Sequence, residues 1–587
     1  MQSEYLALMK KHEDILKKDK LVFDVVGYGK LFFVLLVGLS IYLMFSYQFP
    51  IWSIVLSSLA LLTLIALWIY HSILGERAEY AKGIISICNR HIDRITGKWT
   101  EFTDTGEEFA DAGHAYACDL DVVGRKSLFQ FLNTTSTWHG RHAFAADLLR
   151  PAYGRSELQE RQKAVAELSG DIAFSCNAQL YLSKITTNAN LAESLKESTP
   201  FSKHKAVRLL LTTLPALTCS FILCIIVLGL NHLYIVGASM AALQMAIWFA
   251  GSRKIHKYIG VIGGLSYKLS VYNDLIGVLT AHEFSCDKLK QQQGQLREAA
   301  KAIKSLGKIG NRISIKHNGL IYFFANVLLL WDYGCAFSLQ GWKEKYAHSA
   351  GRWFEAIGEF ESLLSFSHLP NLCNNTCMPA ISDQASLIEA EGLGHPLILN
   401  DIRVDNNICL SDNIFIISGS NMSGKTTLLR TVGVNLVLAR SGGFVCAKKM
   451  TFSPIDIVTS MRITDDLNEG VSTFYAELQR IKMILDASER QLVLFLIDEI
   501  FKGTNSADRL TGAKTVIARL NELDAVGLIS THDLELCNLA DVHDRIRNHS
   551  FSEHYKDNRI CFDYIMRRGR SNTTNAKYLM EMVGIKV

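Results

Sequence analysis

Proline is scarce, eight in 587 residues, and no low-complexity run occurs, so long disordered linkers between domains are not expected. Charge of one sign is lacking too. Lys and Arg number 61 against 57 Asp and Glu, a net charge of +4. Whole-chain charge therefore does not argue for a nucleic-acid partner, and any basic surface has to be local. Charged residues make up only 20% of the chain while hydrophobic ones reach 49%, and the mean hydropathy is +0.14. That is too apolar for an ordinary soluble protein of this size. The thirteen cysteines follow no repeated short spacing, and no His or Cys set completes a zinc site around Cys373 and Cys377. A reduced intracellular protein is expected. No secretory signal peptide is expected either, because the first apolar block follows a charged stretch and has no small-residue cleavage site behind it.

The apolar excess is concentrated in blocks. Residues 31–47 carry no charge, Gln48-Phe49-Pro50 makes a break, and 51–74 follow with only His71 notably polar. As helices these measure about 26 Å and more, against about 30 Å of hydrocarbon. Tyr47, Trp52, Trp68 and Tyr70 suit an interface. A second pair lies at 209–230 and 233–250, separated by Asn231-His232, with Pro215 as a kink that a spanning helix tolerates. Lysines and arginines flank the outer ends of both pairs: Lys17, Lys18, Lys20 and Lys30, then Arg77 and Lys82; Lys203, Lys205 and Arg208, then Arg253, Lys254 and Lys257. Both hairpins are expected to span a bilayer, entering and leaving on the cytoplasmic side. Two helical hairpins buried in a soluble core are the competing reading. A fifth apolar run, 319–337, contains Asp332, costly at mid-membrane, and is expected to be a buried helix.

Residues 78–200 and 260–390 carry apolar positions at helical spacing with charged faces. From about residue 391 short β-rich runs, "NIFIISG", "LVLFLIDE" and "AVGLIST", alternate with helical segments. That texture signals a parallel α/β sheet.

Within it, "GSNMSGKTT" (419–427) follows an apolar strand and opens a helix. Gly419, Ser420, Asn421, Met422, Ser423, Gly424, Lys425 and Thr426 spell a phosphate-binding loop, with Thr427 next to it. Backbone N–H groups at such a helix start face phosphates, Lys425 reaches the β- and γ-phosphates, and the Thr426 hydroxyl ligates Mg²⁺. The apolar strand "LVLFLIDE" ends in Asp498, placed for the magnesium shell, and Glu499, placed to orient or deprotonate the attacking water. "GLISTHDLEL" ends a further strand at His532, a candidate sensor of the γ-phosphate. "DDLNEGVSTFYAEL" places Ser472 at a helix start; alone it is as well read as an N-cap.

Together these residues resemble the MutS family of DNA mismatch-repair ATPases, within the wider ABC-type ATPase group. "ISGSNMSGKTTLLR" resembles the family's TGPNMxGKST loop, with Ser420 for Pro and Thr426 for Ser. "GGFVCA", "DDLNEGVSTFYAEL", "IDEIFKGTNSADRLTGA" and "STHDLEL" are similar to its later motifs, in order, as is the C-terminal stretch "RRGRSNTTNAKYLMEMVGI". A weaker likeness over 114–170 resembles the start of the family's helical core, with Ser127-Leu128, Leu132-Asn133 and a Thr137–Gly140 turn. The resemblance implies paired ATPase domains, a homodimer with composite ATP sites in which Ser472 acts across the interface. It also implies a DNA partner. Val471 stands where the family often has a basic residue. Adenine contacts are expected around Arg403–Asn406 and Asn548–Ser550, where no clear aromatic stands. The family's Phe-x-Glu mismatch wedge has no counterpart: Phe551-Ser552-Glu553 lies inside the ATPase region and is a coincidence of spelling.

The expectation is an α/β P-loop ATPase domain of ABC/MutS type at 391–587, an all-α core and lever domain at 75–208 and 251–390, and four transmembrane helices in hairpins 31–74 and 209–250, behind a cytoplasmic segment 1–30. The function expected is that of a multi-pass ATPase of the bacterial inner membrane, its ATPase domain cytoplasmic, using ATP and Mg²⁺ to bind or clamp DNA. The alternative is a nucleotide-driven membrane switch or remodelling ATPase that does not bind DNA.

Overall fold

The computed structural model describes residues 2–48, 51–151, 153–185, 200–202, 204–263, 266–462, 473–501, 506–523, 525–556 and 559–571. The chain is mostly helical with a C-terminal α/β region. It divides into two compact units: residues 1–133, 147–180 and 366–587 in one, and 134–146 and 181–365 in the other.

The first unit opens with two antiparallel helices of 45 residues each, α1 (Gln2–Ser46) and α2 (Ile51–Ile95). Both continue past the ends of their apolar blocks, because the polar flanks lack any strong helix breaker. Small residues sit where they touch: Ser53 and Ala60 are buried, and the Ser57 hydroxyl donates to Ser40 at 2.9 Å. Outward, Leu35, Leu62, Trp68 and many more apolar side chains are exposed.

Its C-terminal part holds two sheets. Strands β1 (Ala380–Ile381), β2 (Leu387–Leu393), β3 (Asn406–Ser411) and β5 (Lys449–Phe452) form a small one, in the order β1-β5-β2-β3. The large one adds β4 (Ile414–Ser418), β6 (Asp456–Ser460), β7 (Val493–Asp498), β8 (Val526–Thr531), β9 (Ile546–Lys556) and β10 (Arg559–Arg568), in the order β10-β9-β4-β8-β7-β6. All its pairs are parallel except the edge pair β10–β9. Strands β4 and β8 are buried throughout, as continuous apolar runs in a parallel sheet should be. Ile416, Phe495, Ile497 and Ile529 pack with Ile481 and Ile517 from the helices Thr473–Arg490 and Ser506–Glu522.

The second unit contains the helices Lys205–Leu228 and Tyr234–Gly263, joined through a short 3₁₀ turn. Pro215 is buried inside the first without ending it. The Gln244 amide donates to the Thr218 hydroxyl between them at 2.8 Å. Among the described residues, with α1 and α2 they make four helices long and apolar enough to cross a membrane, by length and composition, or five if the bent pair at 319–372 counts as one span. Residues 319–337 depart from the expected buried helix. They form Gly319–Leu329, a sharp break at Leu330, and the start of Trp331–Ser367. Within Gly319–Leu329 only Asn326 is buried, while Leu320, Ile321 and Phe324 are exposed. Asp332 is buried and accepts hydrogen bonds from Tyr322, within the same run, and from Trp248, 84 positions earlier.

Candidate functional site

Parallel register sets three strand ends side by side. Ser418 at the end of β4 pairs with Thr531 at the end of β8, and Asp498 at the end of β7 pairs with Ser530. Ligands of open α/β sheets bind beyond such carboxyl ends. The 419–424 loop leaves β4 there and enters the helix Lys425–Arg440. Gly424 takes φ +105°, and a Cβ on it would stand 3.1 Å from the Tyr564 ring. Glycine is required here for conformation and for space.

The Lys425 ammonium donates to the carbonyls of Gly419 and Ser420 at 2.7 and 2.8 Å and is almost wholly buried. The Thr426 hydroxyl donates to one carboxylate oxygen of Asp498 at 2.9 Å, and the Ser530 hydroxyl donates to the other. Glu499 follows with φ 59°, its N–H bonded to the Ser530 carbonyl at 3.2 Å. The His532 ring nitrogen Nδ1 lies 3.4 Å from the Glu499 carboxylate. Met422 also holds a positive φ, 69°, and is exposed. Left-handed non-glycine residues cluster where a structure holds strain for function.

The sequence-derived residues thus meet in one place: Gly419 to Thr426 with Thr427 behind, Asp498, Glu499 and His532. Ser472 and Val471 lie outside the described residues. A cavity of about 280 Å³ opens beside Glu499 and His532, lined also by Arg509 and Thr531. The donor set fits a hard cation beside a phosphate chain, since a hydroxyl and a carboxylate, both oxygen ligands, converge at Thr426 and Asp498. The Ser423 hydroxyl oxygen is buried without a hydrogen-bond partner inside the loop, a polar atom a bound oxyanion would satisfy.

Next to the loop lies an apolar cavity of about 450 Å³. Ile398, Ile402 and Val404 line one side, and Phe551 and Tyr564 another. Tyr564 holds φ 55° at a register shift in the β9–β10 pair. Asn406 fixes it there, donating to the Tyr564 carbonyl at 2.9 Å and accepting from the Met566 N–H at 2.7 Å. His395, near this wall, is pushed down to about 4 by burial and by Arg430 and Arg403, so it is neutral at neutral pH. Of the two expected adenine neighbourhoods, Val404 and Asn406 line this cavity. Asn548 and His549 line a different, larger one of about 900 Å³ between the two sheets, with Lys449, Arg547 and Arg568. That larger cavity takes in none of the loop residues or strand-end acids, so size does not mark the chemistry here.

Sequence reasoning missed Tyr564, Ser530 and Glu553. The Glu553 carboxylate accepts from the Ser420 hydroxyl at 2.5 Å and Phe551 lines the cavity beside the loop, so both residues lie inside the C-terminal α/β region, where the sequence put them. An aromatic in "CFDYIMRR" was the available signal for Tyr564.

Residues 415–585 match the family model for MutS domain V. Curated relatives include the DNA mismatch repair protein MutS of Cytophaga hutchinsonii, 31% identical over 242 residues, which are 39% of this chain and 28% of the relative. That of Bacteroides thetaiotaomicron is 32% identical over 244 residues, 39% of this chain and 28% of the relative. That of Symbiobacterium thermophilum is 29% identical over 245 residues, 39% of this chain and 27% of the relative. The chain therefore spans little more than a quarter of the length of these relatives.

Proposed function

We propose, for a chain that belongs to the MutS family through its C-terminal domain, that it is a membrane-anchored ATPase of P-loop type coupling ATP turnover to the binding of DNA. The observation that carries the ATPase reading is the meeting of Thr426 with Asp498 and of His532 with Glu499 at neighbouring strand ends. In this reading Lys425 exchanges its two loop carbonyls for phosphate oxygens of ATP. The positively polarised start of the Lys425–Arg440 helix holds the same charge. Glu499 accepts the proton of the attacking water, and His532 orients that carboxylate. A magnesium ion held through the Thr426 hydroxyl and Asp498 would supply neutralisation of the β- and γ-phosphate charge. Tyr564 stacks on the base in the apolar cavity. Two copies pair, and Ser472 of each completes the site of the other.

DNA binding rests on the similarity to proteins named for DNA mismatch repair. A second reading, a nucleotide-driven membrane switch without DNA, is favoured by the four long apolar helices. The test is ATP hydrolysis by the detergent-solubilised full chain, with duplex, mismatched and branched DNA over a salt series, beside Glu499→Ala. Stimulation by DNA that fades with salt supports the first reading, because phosphate contacts release counterions. Hydrolysis indifferent to DNA but altered by lipid selects the second. Turnover no higher than that of Glu499→Ala overturns both.

A further inference from the structure

We propose that Gly319–Leu329 is a re-entrant membrane helix: it enters the cytoplasmic leaflet beside the second hairpin, stops half-way and returns through the start of Trp331–Ser367. The inference rests on the membrane reading of the Lys205–Leu228 and Tyr234–Gly263 helices.

The helix has 11 residues, about 16 Å, half of the roughly 30 Å of hydrocarbon. Its contacts give its depth. The Tyr322 hydroxyl lies 3.3 Å from His256, among Arg253, Lys254 and Lys257, where the apolar part of its neighbour has ended. At the other end, the Cys219 thiol donates to the Leu328 carbonyl at 3.6 Å. Cys219 stands eleven residues past Arg208, about 16 Å further along its helix. So Gly319–Leu329 runs from the charged flank into the apolar part of the hairpin.

There the chain turns. Leu330 takes the left-handed conformation, φ 46° and ψ 45°, and the two helices meet at a bend of 78°. The return path climbs back to the flank: the Tyr333 hydroxyl donates to the Ile247 carbonyl at 3.2 Å, and the Arg208 guanidinium stands 5.8 Å from the Phe337 ring.

A break inside lipid is tolerated only where its polar groups are satisfied internally. Asn326 does this. Its side-chain oxygen accepts from the Asp332 N–H at 3.0 Å, and its amide donates to the Tyr322 carbonyl at 3.1 Å. The Asp332 carboxylate accepts from the Trp248 indole at 3.0 Å and the Tyr322 hydroxyl at 2.5 Å. The acid is therefore sequestered behind the helix, close to the charged flank and away from the outer face. That outer face is apolar and open: Leu320 is 72% exposed, Ile321 54% and Phe324 52%. It continues the exposed apolar surface of the hairpin at Leu217, Leu223 and Phe249. The exposed cations Lys308, Arg312 and Lys316 precede it, placed for anionic headgroups. A lipid bilayer fits this combination of a wide apolar face, a basic entrance and a self-satisfied break.

The test puts p-benzoylphenylalanine at Leu320 or Phe324 in the full-length chain, reconstituted in phosphatidylethanolamine–phosphatidylglycerol vesicles with radiolabelled acyl chains. Leu223 serves as the membrane reference and Val542 as the aqueous one. Photolysis should give lipid adducts at 320 and 324 within about threefold of those at 223, and about tenfold or more above those at 542, as expected for side chains in hydrocarbon. Adducts at 223 with none at 320 or 324 overturn the re-entrant helix. Cross-links from 324 to a second copy of the chain overturn it too, assigning the face to a protein contact. Absence of adducts at 223 itself instead overturns the membrane reading on which the proposal stands.

Discussion

Tyr564→Ala separates the base-binding role proposed for the apolar cavity from the phosphate site proposed beside it. The ring stands over the helix start at Gly424 and lines the cavity with Phe551 and Val404. Stacking of a base on an aromatic ring is worth about 1–3 kcal/mol by alanine substitution. Tyr564 is 44% exposed, so the lower half of that range applies, about 1–2 kcal/mol, or roughly a 5- to 30-fold loss of ATP affinity. Alanine keeps a Cβ in the left-handed backbone that Tyr564 already holds, so that strain is common to both proteins. Affinity is read by titration calorimetry on the detergent-solubilised full chain, with Glu499→Gln as background to suppress turnover. Inorganic triphosphate serves as a ligand without a base. ATP binding should weaken while triphosphate binding stays put, and Tyr564→Phe should bind ATP like the parent. An ATP affinity unchanged to within about twofold, well under 1 kcal/mol, would refute the assignment. A parallel loss for triphosphate would show that the ring acts on the loop and not on a base.

Glu499→Gln should retain ATP binding and lower kcat by about 100-fold or more, the usual contribution of a positioned base; single-turnover kinetics at saturating ATP read it, and an undiminished rate removes Glu499 from the chemistry. Gly433→Ala would set a methyl 2.7 Å from Leu120 and 2.9 Å from Leu496. Overpacking of that kind costs about 1–3 kcal/mol, so thermal unfolding of the sheet unit should come several degrees lower; an unchanged midpoint would mean that Leu120 is not seated there. Acidification should act oppositely on two buried clusters. Burial and Arg94 hold His368 down at about 3, and burial and His368 hold His91 well below the ordinary histidine value. The unfolded chain then binds more protons, and stability is lost as pH falls below about 6.5. Burial raises Glu361 to about 7 despite hydrogen bonds from Thr137 and Ser136, so its contribution is present at low pH and lost as pH rises through about 7. Between pH 7.5 and 5.5, hydrogen exchange should lose protection over residues 84–95 and gain it over 357–365; movement of both regions in one direction would contradict the assignment.

Strand, glycine loop and helix were legible because each is a local pattern: five buried residues, a loop that needs left-handed glycine, then helical spacing. The convergence of Asp498, Glu499 and His532 on that loop followed from parallel order, since parallel strands put all their carboxyl ends on one edge. Tyr564 was not legible. It reaches the loop because β10 turns back along β9 at the sheet edge and because Asn406, some 160 positions earlier, holds its backbone. Residues 319–337 were legible only in part, since Asp332 and Phe337 are buried as expected while Gly319–Leu329 is a separate, largely exposed helix. Asp332 looks unaffordable in an apolar run until Trp248 and Tyr322 supply its hydrogen bonds. The edges of the apolar blocks were legible, but the helix ends were not, since α1 and α2 run on through polar sequence. Hydropathy measures the solvent of a segment and not its backbone state.

That continuity bears on the membrane-anchored ATPase proposed above. The far end of α2 sits in a polar socket of its own unit. Arg94 is buried and donates to the carbonyls of Phe131 at 2.7 Å and Asn133 at 2.6 Å. His91 bonds Gln179, which bonds His368, and Tyr5 of α1 stacks on His91 at 4.7 Å. Further on, the Asp119 carboxylate accepts from the Thr459 hydroxyl and from the N–H groups of Met461 and Arg462, tying this segment to the end of β6. Each hydrogen bond to a charged group is worth about 1.5–3 kcal/mol. Sliding α2 by one turn, about 5.4 Å, would break both Arg94 bonds and strand a buried cation. Carrying the socket along as a body breaks neither. The α1–α2 hairpin is on these grounds fixed to the socket of its own unit, and a movement of that unit as a body would carry Arg94 with it.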